Sequence, residues 1–338
     1  MRAPLTTQFL EESDYDAWQM LVESSAQGSV YANPAFLDAL CEATGDTFRI
    51  LAARRDDQIA GGVALYERRV GNRIRVSPRT LLYYNGIVLR QVPTKYPSQQ
   101  TAHVLEVTAA LEPALSGAGY DGITLKNRSS FADARGFMAQ GWSVRPGYSY
   151  VVPIADLTAA WDRVEQNLRR LVKRCSNEGM QLTEDTDFDS FWRMHVATTE
   201  RKSTERYLPE SAFKRLFTKL HGLGLCRLYH ARLASGQSIS AQLVILGKHA
   251  VSHSVSAAAD PNYLKTGATA FLRWKVFEAL SALGFASNDL TDAALNSVAH
   301  FKSQLGGTLE ICLIFEKART APTWPQRIRS AIAARVNR

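Results

Sequence analysis

Residues 253–317 constrain the fold of this chain more than any other segment, because strand and helix patterns alternate through them. An apolar strand and a turn precede a long helix that opens at Gly267. A short strand ending near Asp289, a second helix carrying Lys302 and a last strand follow. Glycine and nearby lysine at the start of the long helix place backbone N–H groups and positive charge where an anionic ligand can bind.

Two other segments look like copies of one another, one beginning at Phe48 and one at Cys226. Each has a strand, an Ala-Arg pair, a polar turn and a second strand, which predicts a β-hairpin. The recurrence at about half the chain length suggests a duplicated unit. Any two hairpins look somewhat alike, but helical patterns also precede both, at residues 34–43 in one case and at 188–199 and 209–220 in the other. We therefore favour duplication.

The length of 338 residues also favours about two domains. Both halves mix strand and helix patterns, so the sequence predicts an α/β (α+β) fold with mixed sheets. We expect an N-terminal domain over residues 1–150, a C-terminal domain over 151–318 and a basic tail over 319–338.

Composition is that of an ordinary globular protein, with 46% hydrophobic and 21% charged residues. The N-terminal segment lacks a hydrophobic signal core, and no apolar run reaches the roughly 18 residues that span a bilayer. Four cysteines lie far apart and form no Cys-x-x-Cys pair, which argues against a zinc site or a disulfide framework. We therefore expect a cytoplasmic protein without a bound metal.

The net charge is +8, and the basic residues form clusters. One cluster lies on the predicted helix over residues 157–177, and another is the tail, where no acidic residue follows Lys317. Such clusters favour a phosphate-rich substrate, tRNA, or peripheral contact of the tail with an anionic membrane. Each cluster is also explained as a solvated helix face.

The order of these elements resembles the GNAT acyltransferase superfamily, in particular the tandem-GNAT branch around the FemAB peptidoglycan aminoacyltransferases and their acetyltransferase-like relatives. The cofactor motif of the acetyl-CoA enzymes, Arg/Gln-x-x-Gly-x-Gly/Ala, is matched only at its central glycine, since Leu264 and Thr269 occupy the other positions. The residues that carry the resemblance are Tyr263, Gly267, Ala268, Trp274, Gly284, Asp289, Leu290, Thr291, Phe301, Lys302, Gly306 and Gly307.

The resemblance implies an N-acyltransferase that moves an acyl group from a thioester, either acyl-CoA or an acyl carrier, to an amine. The acyl thioester is then a co-substrate, and no tightly bound cofactor is expected. The acceptor that the family suggests is a cell-envelope or polysaccharide precursor. Two alternatives stay open: an aminoacyl-tRNA-dependent enzyme of the FemAB kind, and a degenerate, non-catalytic GNAT pair that binds an anionic partner.

Three residues are candidates for catalysis. Lys302 offers a cation for an oxyanion or a phosphate, and the resemblance places the Phe-Lys pair at the donor site; a surface lysine near a helix C-terminus is the other interpretation. His253 can act as a general base, although a lone strand histidine is more often structural. Asp292 can act as a base or simply cap the next helix.

The donor-binding candidates lie at the start of the long helix and on the second helix, which carries Lys302. Gly267 allows close approach of the backbone, and Lys265 adds charge for a phosphate; the resemblance adds Ala268 and Phe301. The acceptor candidates share one charged loop, which is otherwise explained as a solvated surface: Arg201, Lys202, Arg206 and Tyr207.

Overall fold

The computed structural model describes residues 3–318, so the predicted basic tail lies outside the described residues. One mixed sheet of thirteen strands runs through them, with helices on both of its faces. The predicted mixed α/β class is thereby confirmed. Among the described helices, none combines the length and apolar composition that crossing a membrane requires.

The first half of the chain contains β1 (Thr6–Phe9), α1 (Tyr15–Ser24), α2 (Pro34–Thr44), β2 (Thr47–Arg55), β3 (Gln58–Val70), β4 (Arg73–Val76), β5 (Ile87–Leu89), α3 (Pro97–Gly117), β6 (Gly122–Lys126), α4 (Arg135–Met138) and β7 (Ser143–Pro153). The second half contains α5 (Leu157–Arg163), α6 (Gln166–Asn177), β8 (Gln181–Glu184), α7 (Phe188–Arg201), α8 (Glu210–Gly222), β9 (Cys226–Arg232), β10 (Ser238–Ile245), β11 (Val251–Ala259), α9 (Ala268–Ala282), β12 (Ser287–Asp289), α10 (Ser297–Ser303) and β13 (Thr308–Ala318).

Both predicted hairpins are present as antiparallel pairs, β2 with β3 and β9 with β10. The single helix predicted over residues 157–177 is wrong, because the chain is extended at Val164 and Glu165 between α5 and α6. This break frees the N–H of Glu165, which donates to the carbonyl of Gln304 at 3.0 Å. The interruption thus ties α6 to the end of α10.

The strands follow matched orders on the two sides of the central pair β13–β7. Outward from β13 lie β6, β4, β3, β2 and β1, and outward from β7 lie β12, β11, β10, β9 and β8. The last strand of each half therefore pairs with the sheet of the other half. The predicted boundary near residue 150 falls within β7, and the division into two domains stays a prediction.

One hydrophobic core joins the two halves on one face of the sheet, where α1 and α2 lie beside α7 and α8. Alternate residues of β2 point to opposite faces, so Ile50 enters this shared core while Leu51 enters a separate core under α3. A third core lies under α5, α6 and α9. Because of this shared core, we expect the stability of each half to depend on the other.

We expect Phe36→Ala in α2 and Phe213→Ala in α8 to lower the midpoint of the same unfolding transition. Both rings are fully buried in the shared core, so each change should cost about 3–5 kcal/mol of unfolding free energy. Denaturant unfolding followed by circular dichroism measures this. Met20→Ala, at a side chain that is 72% exposed, is the control. Two separate transitions, each sensitive to one variant, would contradict the shared core.

Candidate functional site

A cleft opens where β11 and β12 separate. The two strands pair in parallel only from Val251 opposite Ser287 to His253 opposite Asp289. Beyond this point β11 continues to residue 259, whereas β12 ends and its other edge is paired with β7. The second half of β11 therefore has no neighbouring strand on the edge that β12 leaves, although β10 pairs with its other edge.

The cleft contains two cavities. A small cavity of about 180 Å³ and a large cavity of about 530 Å³ share four lining residues, among them Lys202 and Arg273. The start of α9, the end of α7 and α10 surround the small cavity. The large cavity extends to Tyr83 of the first half and to the turn after β12. The cleft is thus built by both halves of the chain.

Lys302 lines the large cavity from α10. Its ammonium group donates to the backbone carbonyls of Thr291 and Asp292, the second at 2.6 Å. Burial lowers the pKa of Lys302 to about 8, and the positive charge of Arg273 acts in the same direction. The side chain is therefore a fixed cation at neutral pH that loses its proton in mildly basic solution.

The two carbonyls that hold Lys302 belong to an unusual turn. Thr291 and Asp292 have φ of 48° and 56°, in the left-handed region that a β-branched residue rarely adopts. Thr291 is kept there by its N–H, which donates to Asp289 at 2.8 Å, and by its hydroxyl, which donates to the carbonyl of Ser254 at 2.9 Å. Backbone strain of this kind persists only where surrounding contacts enforce it.

Asp289, at the end of β12, is the centre of a buried polar network. Its carboxylate accepts from Tyr84 at 2.7 Å and from Ser149, both residues of the first half. His253 lies 3.6 Å away. Burial alone would raise the pKa of Asp289, but His253, Ser149 and Tyr84 together hold it well below its ordinary value. The ionised carboxylate thus links the first half to the strained turn.

His253 does not line either cavity. Its ring is fully buried and lies 4.8 Å from the ring of Tyr31, between centroids. Burial lowers its pKa, so the imidazole is neutral near pH 7. The structure therefore brings His253 to Asp289 and not to the open part of the cleft.

Asp292 is exposed and lines the large cavity, with its carboxylate accepting from the N–H of Ala293 at 3.1 Å. The alternative interpretation, in which Asp292 caps the next helix, is wrong. Asn296 caps α10, because its side-chain oxygen accepts from the N–H groups of Val298 and Ala299. The carboxylate of Asp292 is consequently not needed for that helix.

The predicted donor residues are only partly brought together. Gly267 has φ of +89°, and a Cβ there would lie 3.0 Å from the Cβ of Leu171, so backbone geometry and packing against α6 both require glycine. Ala268 is buried at the start of α9, and Phe301 lines the small cavity. Lys265 is exposed on the preceding loop, outside both cavities.

The predicted acceptor residues are also only partly brought together. Lys202 lines both cavities, Arg201 lines the small one, and Tyr207 lines the large one. Burial lowers the pKa of Lys202, with Arg201 and then Arg273 adding to the effect. Arg206 instead forms a surface ion pair with Glu200 at 3.3 Å.

Sequence reasoning missed Arg273 and Tyr83. Arg273 is a cation within the otherwise apolar, buried stretch of α9, one helical turn after Thr269, and that contrast was the available signal. Tyr83 comes from the first half, and its hydroxyl donates to the carbonyl of Val255 at 3.4 Å. Only the three-dimensional contact between the halves reveals it.

A second polar cluster forms away from the cleft. Asp185, Asp187 and His230 come within metal-binding distance of one another, although the sequence shows no such motif. Arg232 donates to both carboxylates, at 3.0 and 2.9 Å. The guanidinium binds both carboxylates and offsets one of their two negative charges, so we assign this cluster to the stability of the β8–β9 edge.

Comparison with known proteins agrees with this geometry. Residues 162–303 match the family described as "Acetyltransferase (GNAT) domain". No curated protein sequence is significantly similar to the chain. The matched range contains Lys302 and, apart from Tyr83, the residues that line the two cavities.

Solved structures with a similar fold match more than nine-tenths of this chain. The crystal structure of FemX has a TM-score of 0.71 and 13% identity, covering 94% of this chain and 98% of that one. L-PGS from Bacillus licheniformis has a TM-score of 0.57 and 11% identity, covering 94% and 95%. A tandem GNAT protein from the clavulanic acid biosynthesis pathway has a TM-score of 0.53 and 12% identity, covering 93% and 98%. At these identities the likeness concerns the fold.

We expect Asp289→Asn to lower the free energy of unfolding by about 2–4 kcal/mol, because the donors of Tyr84, Ser149 and Thr291 lose a charged acceptor in a buried place. Chemical denaturation measures the change. Asp292→Asn, at the exposed carboxylate nearby, is the control and should alter stability by less than about 0.5 kcal/mol. Equal effects of the two variants would contradict the network assigned to Asp289.

Proposed function

We propose that the protein is an N-acyltransferase that works in the cleft between β11 and β12, since residues 162–303 match the acetyltransferase (GNAT) domain family. The observation that carries the proposal is the state of Lys302. It is a cation with a pKa of about 8, fixed by two carbonyls of a strained turn and facing the large cavity. A positioned cation in a water-poor cleft stabilises negative charge that develops during a reaction.

In the proposed reaction the nitrogen of an amine attacks the carbonyl carbon of an acyl thioester. A C–N bond forms, and the carbonyl oxygen becomes an oxyanion that the ammonium group of Lys302 stabilises. Collapse of the oxyanion breaks the C–S bond and releases the thiol. The proton that the nitrogen loses ends on the leaving sulfur, so no covalent enzyme intermediate is needed.

We assign the transfer of that proton to Asp292. Its carboxylate lines the large cavity and does not cap a helix. The nitrogen becomes more acidic once it is bonded to the carbonyl carbon, which lets a carboxylate accept its proton. His253 is left out of the chemistry in this proposal, since its ring is fully buried beside Asp289.

The donor we favour is an acyl thioester, either acyl-CoA or an acyl carrier. Lys265 stands on the exposed loop that leads into α9, and Arg201 and Lys202 line the cleft beyond it. The cation of Lys265 suits a phosphate of such a donor, whereas Arg201 and Lys202 are the residues predicted to bind the acceptor. The acceptor is an amine, and a cell-envelope or polysaccharide precursor is the class that the family suggests.

A second candidate donor is an aminoacyl-tRNA, favoured by the basic surface of α6. Arg174 donates to the carbonyl of Thr266 at 2.6 Å, so the helix is anchored to the loop before α9. Arg170 and Lys173 are exposed on the same helix. A polynucleotide backbone bound there would lie beside the loop that leads into α9.

Lys302 should set the upper pH limit of activity. The ammonium group is charged below pH 8 and neutral above it, so kcat/KM should fall as pH rises through about 8. Lys302→Ala should lower kcat/KM by about 10²–10³-fold. Lys302→Arg should retain part of the activity without the fall above pH 8, because its guanidinium stays charged. Thiol release from acetyl-CoA with a panel of amino sugars and nucleotide-linked amino sugars measures this.

Donor binding is the control measurement for the Lys302 experiment. Lys302→Ala that binds acetyl-CoA normally but does not turn over supports the catalytic role. Unchanged turnover in Lys302→Ala would overturn it. Donor binding in the wild-type protein without turnover on any acceptor tested would favour the non-catalytic alternative.

The two donors can be separated by titration calorimetry at one fixed salt concentration, using acetyl-CoA, a long-chain acyl-CoA, aminoacylated tRNA and uncharged tRNA. We expect saturable binding of acyl-CoA that Lys265→Ala weakens about tenfold and Arg170→Ala leaves unchanged. The reverse pattern, with a preference for aminoacylated over uncharged tRNA, would move the protein to the aminoacyltransferase function. Fixed salt matters because cationic surfaces bind RNA non-specifically at low ionic strength.

A further inference from the structure

Arg273 is a buried cation without a partner. The residue is 7% exposed, and its Nε and Nη1 atoms have no hydrogen-bond partner among residues 3–318. Within the same residues it forms no ion pair, whereas Arg232 and Arg79 each meet a carboxylate. An arginine this deeply buried is ordinarily paired, because desolvation of an isolated charge is costly.

The surroundings of Arg273 make its charge still less favourable. Lys202 and Lys302 line the large cavity with it, and the presence of Arg273 lowers the pKa of both lysines. Burial also lowers the pKa of Arg273 itself, to about 10. Three cations that face one cavity repel each other, and an anion placed between them removes this repulsion.

The position of Arg273 restricts what can reach it. It lies where the two cavities adjoin, and the small cavity beyond it is lined largely by methyl groups and rings from residues 257–259, Leu264 and Phe301. Thr198 and Thr269 add hydroxyl groups to that lining. With a volume of about 180 Å³, the small cavity has room for a compact group beside Arg273.

We propose that Arg273 is the anion-recognition residue of the cleft and binds a carboxylate or phosphoryl group of the substrate. The planar guanidinium presents its N–H donors in a fixed fork, which matches two oxygens of such a group. Lys202, which lines both cavities together with Arg273, adds a second positive charge. The proposal deepens the acyltransferase function and rests on it, since it specifies that one of the two substrates carries a compact anion near the reacting centre.

Arg273→Met tests the proposal without requiring turnover. Methionine keeps much of the length and removes the charge, so the ligand-free variant should unfold at a higher temperature than the wild-type protein. Inorganic phosphate and acetate, added separately at constant ionic strength, should stabilise the wild-type protein and not the variant. Arg215→Met, at an exposed arginine of α8, is the matched control and should respond to the anions as the wild type does.

The same variant identifies the source of the anion. Titration with acetyl-CoA and with acetyl-pantetheine, which lacks the phosphates, reports a phosphoryl group of the donor. In activity assays, pairs of amine acceptors with and without a carboxylate or phosphate report an anion of the acceptor. Loss of about tenfold or more in affinity or in kcat/KM for only the anionic member of a pair assigns the site to that substrate.

Two results would overturn the proposal. One is an Arg273→Met variant that is less stable than the wild type without ligand, which would assign the arginine a structural role. The other is an equal shift by phosphate and acetate in wild type and variant. Both measurements differ from the Lys302→Ala test, which measures turnover. If Arg273→Met gave either of these results while Lys302→Ala still abolished turnover, the anion site would be wrong and the acyltransferase function would stand.

Discussion

The buried carboxylate of Asp289 is the contact on which the cleft depends. It is 1% exposed at the end of β12, where Tyr84 and Ser149 of the first half donate to it and the N–H of Thr291 donates from the other side. Removing this acceptor would leave three buried donors unsatisfied and free the strained turn that holds Lys302. A single ionised group thus joins the position of the proposed catalytic cation to residues more than a hundred positions away in the chain.

The exchange of strands explains why the first half is indispensable to a site whose motifs lie in the second. Ser149 reaches Asp289 because β7 pairs with β12, and β13 in turn pairs with β6. Tyr83 and Tyr84 reach the cleft because α1, α2, α7 and α8 bury one common core on the same face of the sheet. The first half therefore supplies both support for the turn and part of the wall of the large cavity.

Local patterns were sufficient for much of this architecture. Alternation and turn residues predicted both hairpins, and the structure contains both. The sequence could not predict the exchange of β7 and β13, because an alternating strand looks the same whichever edge it pairs with. Nor could it predict Arg273 or Tyr83, whose importance depends on a cavity between distant elements. The left-handed conformation of Thr291 contradicts its local preference and follows only from Asp289 and Ser254.

Three features of the cleft oppose stability: the strained turn, the depressed pKa of Lys302 and the unpartnered guanidinium of Arg273. Buried carboxylates elsewhere in the described residues have a cationic partner, as Glu67 has Arg49 and Glu112 has Lys317. Unfavourable contacts that cluster around one cavity are expected where a ligand supplies the missing partner. A negatively charged group near Arg273 would neutralise the cations and raise the pKa of Lys302, so substrate binding itself would extend the pH range over which the lysine stays charged.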